Sequence, residues 1–232
     1  MPDPDAVLPQ LATYAAVVIT SVDWLFEPYW SGDRLVARLR GGRVTLTDEA
    51  GEPAGPEFAE AAELLAAAID ADAAVIDGVW SAQPFVGDGS HARRLADSLA
   101  ETLAEEGREE EVPDPAELET RRAFVAFDLV ELDGRSLAEI PYQERRRLLV
   151  SVLAENVRVR ISPAVKQPLA PWLHAWRGNG FTHYVAKHVN SRYRPGERVE
   201  DWLIVSAAAE RGPSMVGRMF GQRPRKLRRI ED

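Results

Sequence analysis

The 232 residues contain no cysteine, which excludes disulfides, iron–sulfur clusters and thiolate zinc sites. Lysine is nearly as scarce. Lys166, Lys187 and Lys226 are the only three, so arginine carries almost all the positive charge. With abundant alanine, that usage is what a GC-rich bacterial genome is expected to give. No apolar run reaches the ~18 residues of a membrane-spanning helix. The start, MPDPDAVLPQ, lacks the basic-then-apolar order of a secretory leader, and the cytoplasm is the expected compartment. No G-x-x-x-x-G-K stretch supplies a P-loop, and no Ser–His–Asp pattern occurs. His183 and His188 lie five positions apart. On a strand they point to opposite faces, so a shared metal site is not expected.

What is present suits a globular protein. Apolar residues make up 45% of the chain, enough for a sizeable core, and the net charge is -9. An acidic balance argues against a general nucleic-acid coat, but the charge is uneven. The stretch from Arg211 to Asp232 is about +5, which leaves the rest at about -14. This end carries Arg218, Arg223, Arg225, Lys226, Arg228 and Arg229. It is either a phosphate-contacting tail with salt-sensitive affinity or a solvated end.

Periodicity places the elements. LVARL and VTLT alternate around Gly41-Gly42, the signature of a hairpin over 35–47 with positive φ in its turn. Phe58, Ala61, Leu65 and Ala68 recur at helical spacing after Pro56. Leu95, Leu99 and Leu103 predict a second helix over 91–106. The acidic, proline-bearing stretch 105–119 is expected to be a surface loop. Residues 73–80, 123–132, 157–161, 180–189 and 199–208 predict strands. A further helix follows Asp133-Gly134, with Pro141 in its first turn. The mixture predicts an α+β fold with largely antiparallel sheets.

Five segments, in order, resemble the adenylation (nucleotidyltransferase) domain of ATP-dependent DNA ligases, especially the bacterial repair ligases. VLPQLAT resembles the family's Pro-Met-Leu-Ala element. WLFEPYWSGDR resembles Trp-x-x-Glu-x-Lys-x-Asp-Gly-x-Arg, and AAVIDGVW resembles Leu-Asp-Gly-Glu. FVAFDLVELDGRSLAEIPYQERRRLL is similar to the Phe-Asp-Leu-Leu-x-x-Asp-Gly segment and its helix. VAKHVNSRYRPGERVEDWLIVS resembles Val-x-Lys-Arg-x-x-Ser-x-Tyr-x-Pro-Gly-x-Arg-x-x-x-Trp-x-Lys-x-Lys. The resemblance covers about residues 7–206. It implies an ATP-grasp-like domain over 1–206, of two antiparallel sheets flanked by helices, with 207–232 as a basic tail. The residues after Ser206 are too few for the OB-fold domain that usually follows, so none is expected within this sequence.

In the family a lysine attacks the α-phosphate of ATP and carries AMP as a phosphoramidate. Carboxylates hold the divalent metal, and further lysines neutralise phosphate charge. This chain departs at those positions. Tyr29 stands for the nucleophile, Ser31 for the aspartate of the same motif, and Val79 and Thr182 for glutamates. Ile204 and Ser206 stand for the last two lysines, and Thr47-Asp48-Glu49 for a Ser-Arg pair. Glu27, Gly32, Arg34, Asp77, Phe127, Lys187, Arg198 and Trp202 are kept. By resemblance, Phe127 would stack on adenine, Arg34 would contact the nucleotide and Lys187 would reach its phosphate. Glu27 and Arg198 complete the implied nucleotide site.

Three lysines and three carboxylates are lost together. Losing both signs avoids leaving an unpaired charge in a pocket. The expectation is therefore a rebuilt, neutral pocket partly filled by Tyr29, with no catalytic residue and no metal site. No cofactor is expected, and any nucleotide still held would be ATP or AMP with Mg²⁺. The expected role is a binding or scaffold module in bacterial DNA repair or nucleic-acid metabolism, partnered by DNA through the tail or by another repair protein. The rival reading is an active nucleotidyltransferase in which Lys187, or a group from a partner chain, replaces the nucleophile.

Overall fold

The computed structural model describes residues 6–82 and 122–208, and the backbone of 228–230. The expected helix over 91–106, the acidic stretch 105–119, and Arg218, Arg223, Arg225 and Lys226 lie outside the described residues.

Strands β1 (Leu11–Tyr14), β2 (Val17–Ile19), β3 (Trp24–Pro28), β4 (Asp33–Arg40) and β5 (Arg43–Thr47) come first, followed by helix α1 (Ala59–Ala68). Next are β6 (Ala73–Ser81), β7 (Ala123–Leu132), β8 (Arg135–Ser136), α2 (Tyr142–Val152) and β9 (Val159–Ile161). The last are α3 (Ala170–Gly178), β10 (His183–His188), β11 (Arg198–Ser206) and β12 (Arg228–Ile230). One sheet has the order β5-β4-β6-β7-β8, with β9 on β7; the other runs β1-β11-β10-β3. Antiparallel pairing dominates, as the alternating segments predict. The departures are β9 on β7, β1 on β11 and a separate β12-β2 ladder, all parallel. That ladder places Arg228 and Arg229 of the basic stretch in a strand.

The hairpin forms where two glycines allow it. Gly41 and Gly42 have φ of 56° and 74°, the left-handed values of a tight primed turn. Strand β4 then splits its side chains by the two-residue period. Leu35, Ala37 and Leu39 enter one apolar cluster and Val36 enters the other. The first cluster lies under α1 and α2, through Leu65 and Leu149. Each such buried leucine contributes about 1.5–3 kcal/mol relative to exposure. The second holds Phe26, Val79, Phe127, Tyr184 and Trp202, drawn from both sheets. With apolar layers on both faces, β6 is buried along nearly its whole length.

Helix α2 is fixed by charge as well as by packing. Arg145 donates to both oxygens of Asp128 on β7 at 2.8 Å, and both side chains are fully buried. Arg145 also donates to the carbonyls of Ile140 and Ser191, so the guanidinium fork is well satisfied.

Candidate functional site

Both sheets line a cleft of about 300 Å³. Strand pairing selects its walls. Val185 and Lys187, two apart on β10, oppose Ile204 and Trp202 on β11, while Glu27 on β3 opposes Val185. All five line the cleft. From the other sheet come Arg34, paired across β4 and β6 with Val79, and Phe127 of β7. Gly32 provides the bend between β3 and β4. Its φ is 146°, and a Cβ there would lie 2.3 Å from the Trp80 carbonyl oxygen, so no other residue fits without a backbone shift.

The structure brings Tyr29, Val79 and Ile204 together in this cleft, along with the kept residues Glu27, Arg34, Phe127, Lys187 and Arg198. Ser31, Thr182 and Ser206 are not among its lining residues. The Ser31 carbonyl accepts from the Ser81 hydroxyl at 2.6 Å, and Thr182 Oγ1 lies 3.0 Å from His183 Nδ1. Ser206 Oγ accepts from the Ala208 N–H at 3.2 Å. Glu49, in the segment that replaces the Ser-Arg pair, also lines the cleft.

Two cations of the cleft are bound to carboxylates of the protein itself. Arg34 donates from Nε and a terminal nitrogen to the two oxygens of Asp77, each at 2.7 Å. Asp77 also accepts from the Tyr193 hydroxyl at 2.7 Å. Burial disfavours the Arg34 charge, but Asp77 outweighs it and raises the pKa. Lys187 and Glu27 are each only 2% exposed, with Nζ 3.1 Å from the Glu27 carboxylate. Lys187 also donates to the Phe127 carbonyl at 3.2 Å. It sits within 4.2 to 4.7 Å of the ring centroids of Trp202, Phe127 and Tyr142. Burial lowers its pKa, and Glu27 opposes the shift. Glu27 accepts in addition from the Tyr142 hydroxyl. The Phe127 ring, expected to stack on adenine, has the Arg34 guanidinium 4.5 Å from its centroid and the Lys187 ammonium at 4.6 Å.

Tyr29 stands at the mouth, 37% exposed. Its N–H donates to the His183 carbonyl at 3.1 Å, and its ring meets that of His183 edge to face at 6.3 Å. Burial and the neighbouring Tyr14 raise its pKa further above the usual phenol value. Sequence reasoning did not single out Tyr14, Tyr142, Tyr193 or Gln10 for the site. Tyr142 and Tyr193 reach Glu27 and Asp77 from more than a hundred residues away, and no local pattern announces such contacts.

This arrangement of motifs meets its match outside the chain. The family model described as the ATP dependent DNA ligase domain matches residues 9–205. The chain belongs to that family. It is 30% identical over 200 residues to the multifunctional non-homologous end joining DNA repair protein LigD of Mycobacterium tuberculosis, covering 86% of this chain and 24% of LigD. Among solved structures, the ligase domain of M. tuberculosis LigD superposes with a TM-score of 0.56 at 26% identity, covering 85% of this chain and 58% of that one. A mycobacterial DNA ligase D complexed with ATP and MES gives 0.60 at 25% identity, covering 86% and 60%. The chain thus spans about a quarter of the LigD sequence and over half of the ligase domains. The two-sheet architecture is that of DNA ligase adenylation domains.

Proposed function

We propose that this ligase-type adenylation domain no longer performs the lysine–AMP step and acts as a binding or scaffold module in bacterial DNA repair. The observation that carries this reading is Tyr29 at the nucleophile position. A phenol with its pKa near 10 is a poor nucleophile at neutral pH without an adjacent base, and here burial and Tyr14 move it further from ionisation. Losing the nucleophile of a covalent mechanism costs several orders of magnitude in rate.

The surrounding charges support the same reading. A triphosphate with its divalent cation needs uncommitted cations and carboxylates. In this cleft Arg34 is held by Asp77 and Lys187 by Glu27, Val79 and Ile204 are apolar, and Arg198 is the one lining cation without an ion pair among the described residues. These residues are a poor match to Mg²⁺–ATP. Lys187 as a replacement nucleophile is disfavoured by its Glu27 and Phe127 partners and by three surrounding rings. The partner in this reading is DNA, reached through the basic stretch, or a second repair protein. The test is incubation with α-labelled ATP and Mg²⁺ or Mn²⁺, followed by a denaturing gel. No labelled band is expected; a band at the mass of the chain overturns the reading.

A further inference from the structure

The departures from the family pattern do more than remove chemistry. Tyr29 replaces a lysine and His183 a glycine, and strand pairing makes them neighbours with ring centroids 6.3 Å apart. Tyr14 of β1 meets His183 from another side at 6.2 Å and 89°. Tyr14 is 64% exposed, so its ring is open to solvent. We propose that Tyr14, Tyr29 and His183 form a stacking platform for the unpaired bases of single-stranded DNA at the mouth of the cleft. This rests on the reading that Tyr29 is not a nucleophile, and it names the partner of the same site.

The surroundings fit a polyanion carrying aromatic bases. An apolar groove of about 750 Å³ adjoins the cleft, and Tyr14 and Ile204 line both. The platform therefore sits between two concave surfaces rather than at a blind end. Arg198 lines the cleft and Arg177 the groove. Among the described residues neither forms an ion pair. Each is steadied by a backbone carbonyl, of Ala12 and Ala207 respectively. Val17 to Ile19 form part of the groove wall, and β12 pairs with them, setting Arg228 and Arg229 beside Val17 and Val18. Exposed rings flanked by cations are the recipe for single-strand binding, in which bases stack and phosphates meet arginine. Duplex DNA keeps its bases inside and cannot use such a platform. Glu49 also lines the cleft and disfavours phosphate beside it, which leaves the groove carrying Arg177 as the better path for the DNA backbone.

The experiment is fluorescence anisotropy of a labelled oligo-dT strand at low salt, with the full chain. Tyr14→Ala and His183→Ala are each expected to weaken binding about tenfold or more, the range of one base–aromatic stack. Tyr14→Trp, which keeps a ring, is expected to bind like the wild type. Thermal unfolding of each variant checks that the fold survives. An abasic strand and a blunt duplex are expected to bind at least tenfold more weakly than oligo-dT. The proposal is overturned by absence of oligo-dT binding. It is equally overturned if the alanine variants match the wild type, or if abasic or duplex DNA binds as tightly. A covalent AMP band overturns the reading of Tyr29 whatever the anisotropy, and unchanged anisotropy in the alanine variants overturns the platform alone.

Discussion

Tyr29 stands where the family resemblance places the nucleophilic lysine, and it is one of several replaced positions. Restoring the lysine is expected not to restore the reaction. In Tyr29→Lys the new amine would still lack the carboxylates replaced by Ser31 and Val79, and the lysines replaced by Ile204 and Ser206. Lys187 would remain tied to Glu27. The α-labelled ATP gel is therefore expected to stay blank for this variant, and strong labelling would show that Tyr29 alone had disabled an intact site. Much of this neighbourhood was legible in the sequence, because the kept and lost residues sit inside contiguous motifs. Tyr29, Val79 and Ile204 do line one cleft with Glu27, Arg34, Phe127, Lys187 and Arg198. The buried partners were not legible. Gln10, for example, donates its N–H to the Tyr193 hydroxyl and accepts the Arg194 N–H. Such long-range hydrogen bonds leave no spacing to read.

Among the elements, α2 depends on a charge pair more than its sequence suggests. The Arg145–Asp128 pair is fully buried, so removing one partner strands the other. Arg145→Met is expected to cost about 3–5 kcal/mol in urea unfolding, and adding Asp128→Leu is expected to recover most of it. A loss below about 1 kcal/mol for Arg145→Met would contradict the buried-pair account. Elements with a clean period and strong turn chemistry, such as the β4–β5 hairpin and β6, follow from their sequences. Short ones do not. Strands β1 and β2 have four and three residues, too few for alternation to register. Helix α3 has nine residues, and its two tryptophans and its histidine are only middling helix formers.

For the whole molecule, buried phenols tie stability to alkaline pH. Burial raises the pKa of Tyr142, with Glu27 adding to the shift, and that of Tyr193, with Asp77 adding. Burial also raises Tyr184, to about 12. The unfolded chain releases these protons near pH 10, while the folded chain keeps them, so stability falls as pH rises past about 10. Lys187 has the opposite sign. Its lowered pKa means that the unfolded chain binds more protons below about 10.5, so its contribution rises with pH up to that point and is then constant. Above about pH 10.5 the buried tyrosines lower the stability, with a slope approaching ~1.4 kcal/mol per pH unit for each one kept protonated. Urea midpoints measured across this range are expected to fall with pH, and Tyr193→Phe is expected to flatten the fall. A pH-independent midpoint would contradict the assignment.

Kept and replaced family positions lie on both sheets, which makes the covalent step the point on which the functional account turns. Intact-mass spectrometry of the wild-type chain after incubation with ATP and Mg²⁺ or Mn²⁺ tests it most directly. The account predicts an unchanged mass, with no nucleotide attached to Tyr29, Lys187 or any other residue. A species heavier by one adenylyl group would contradict it.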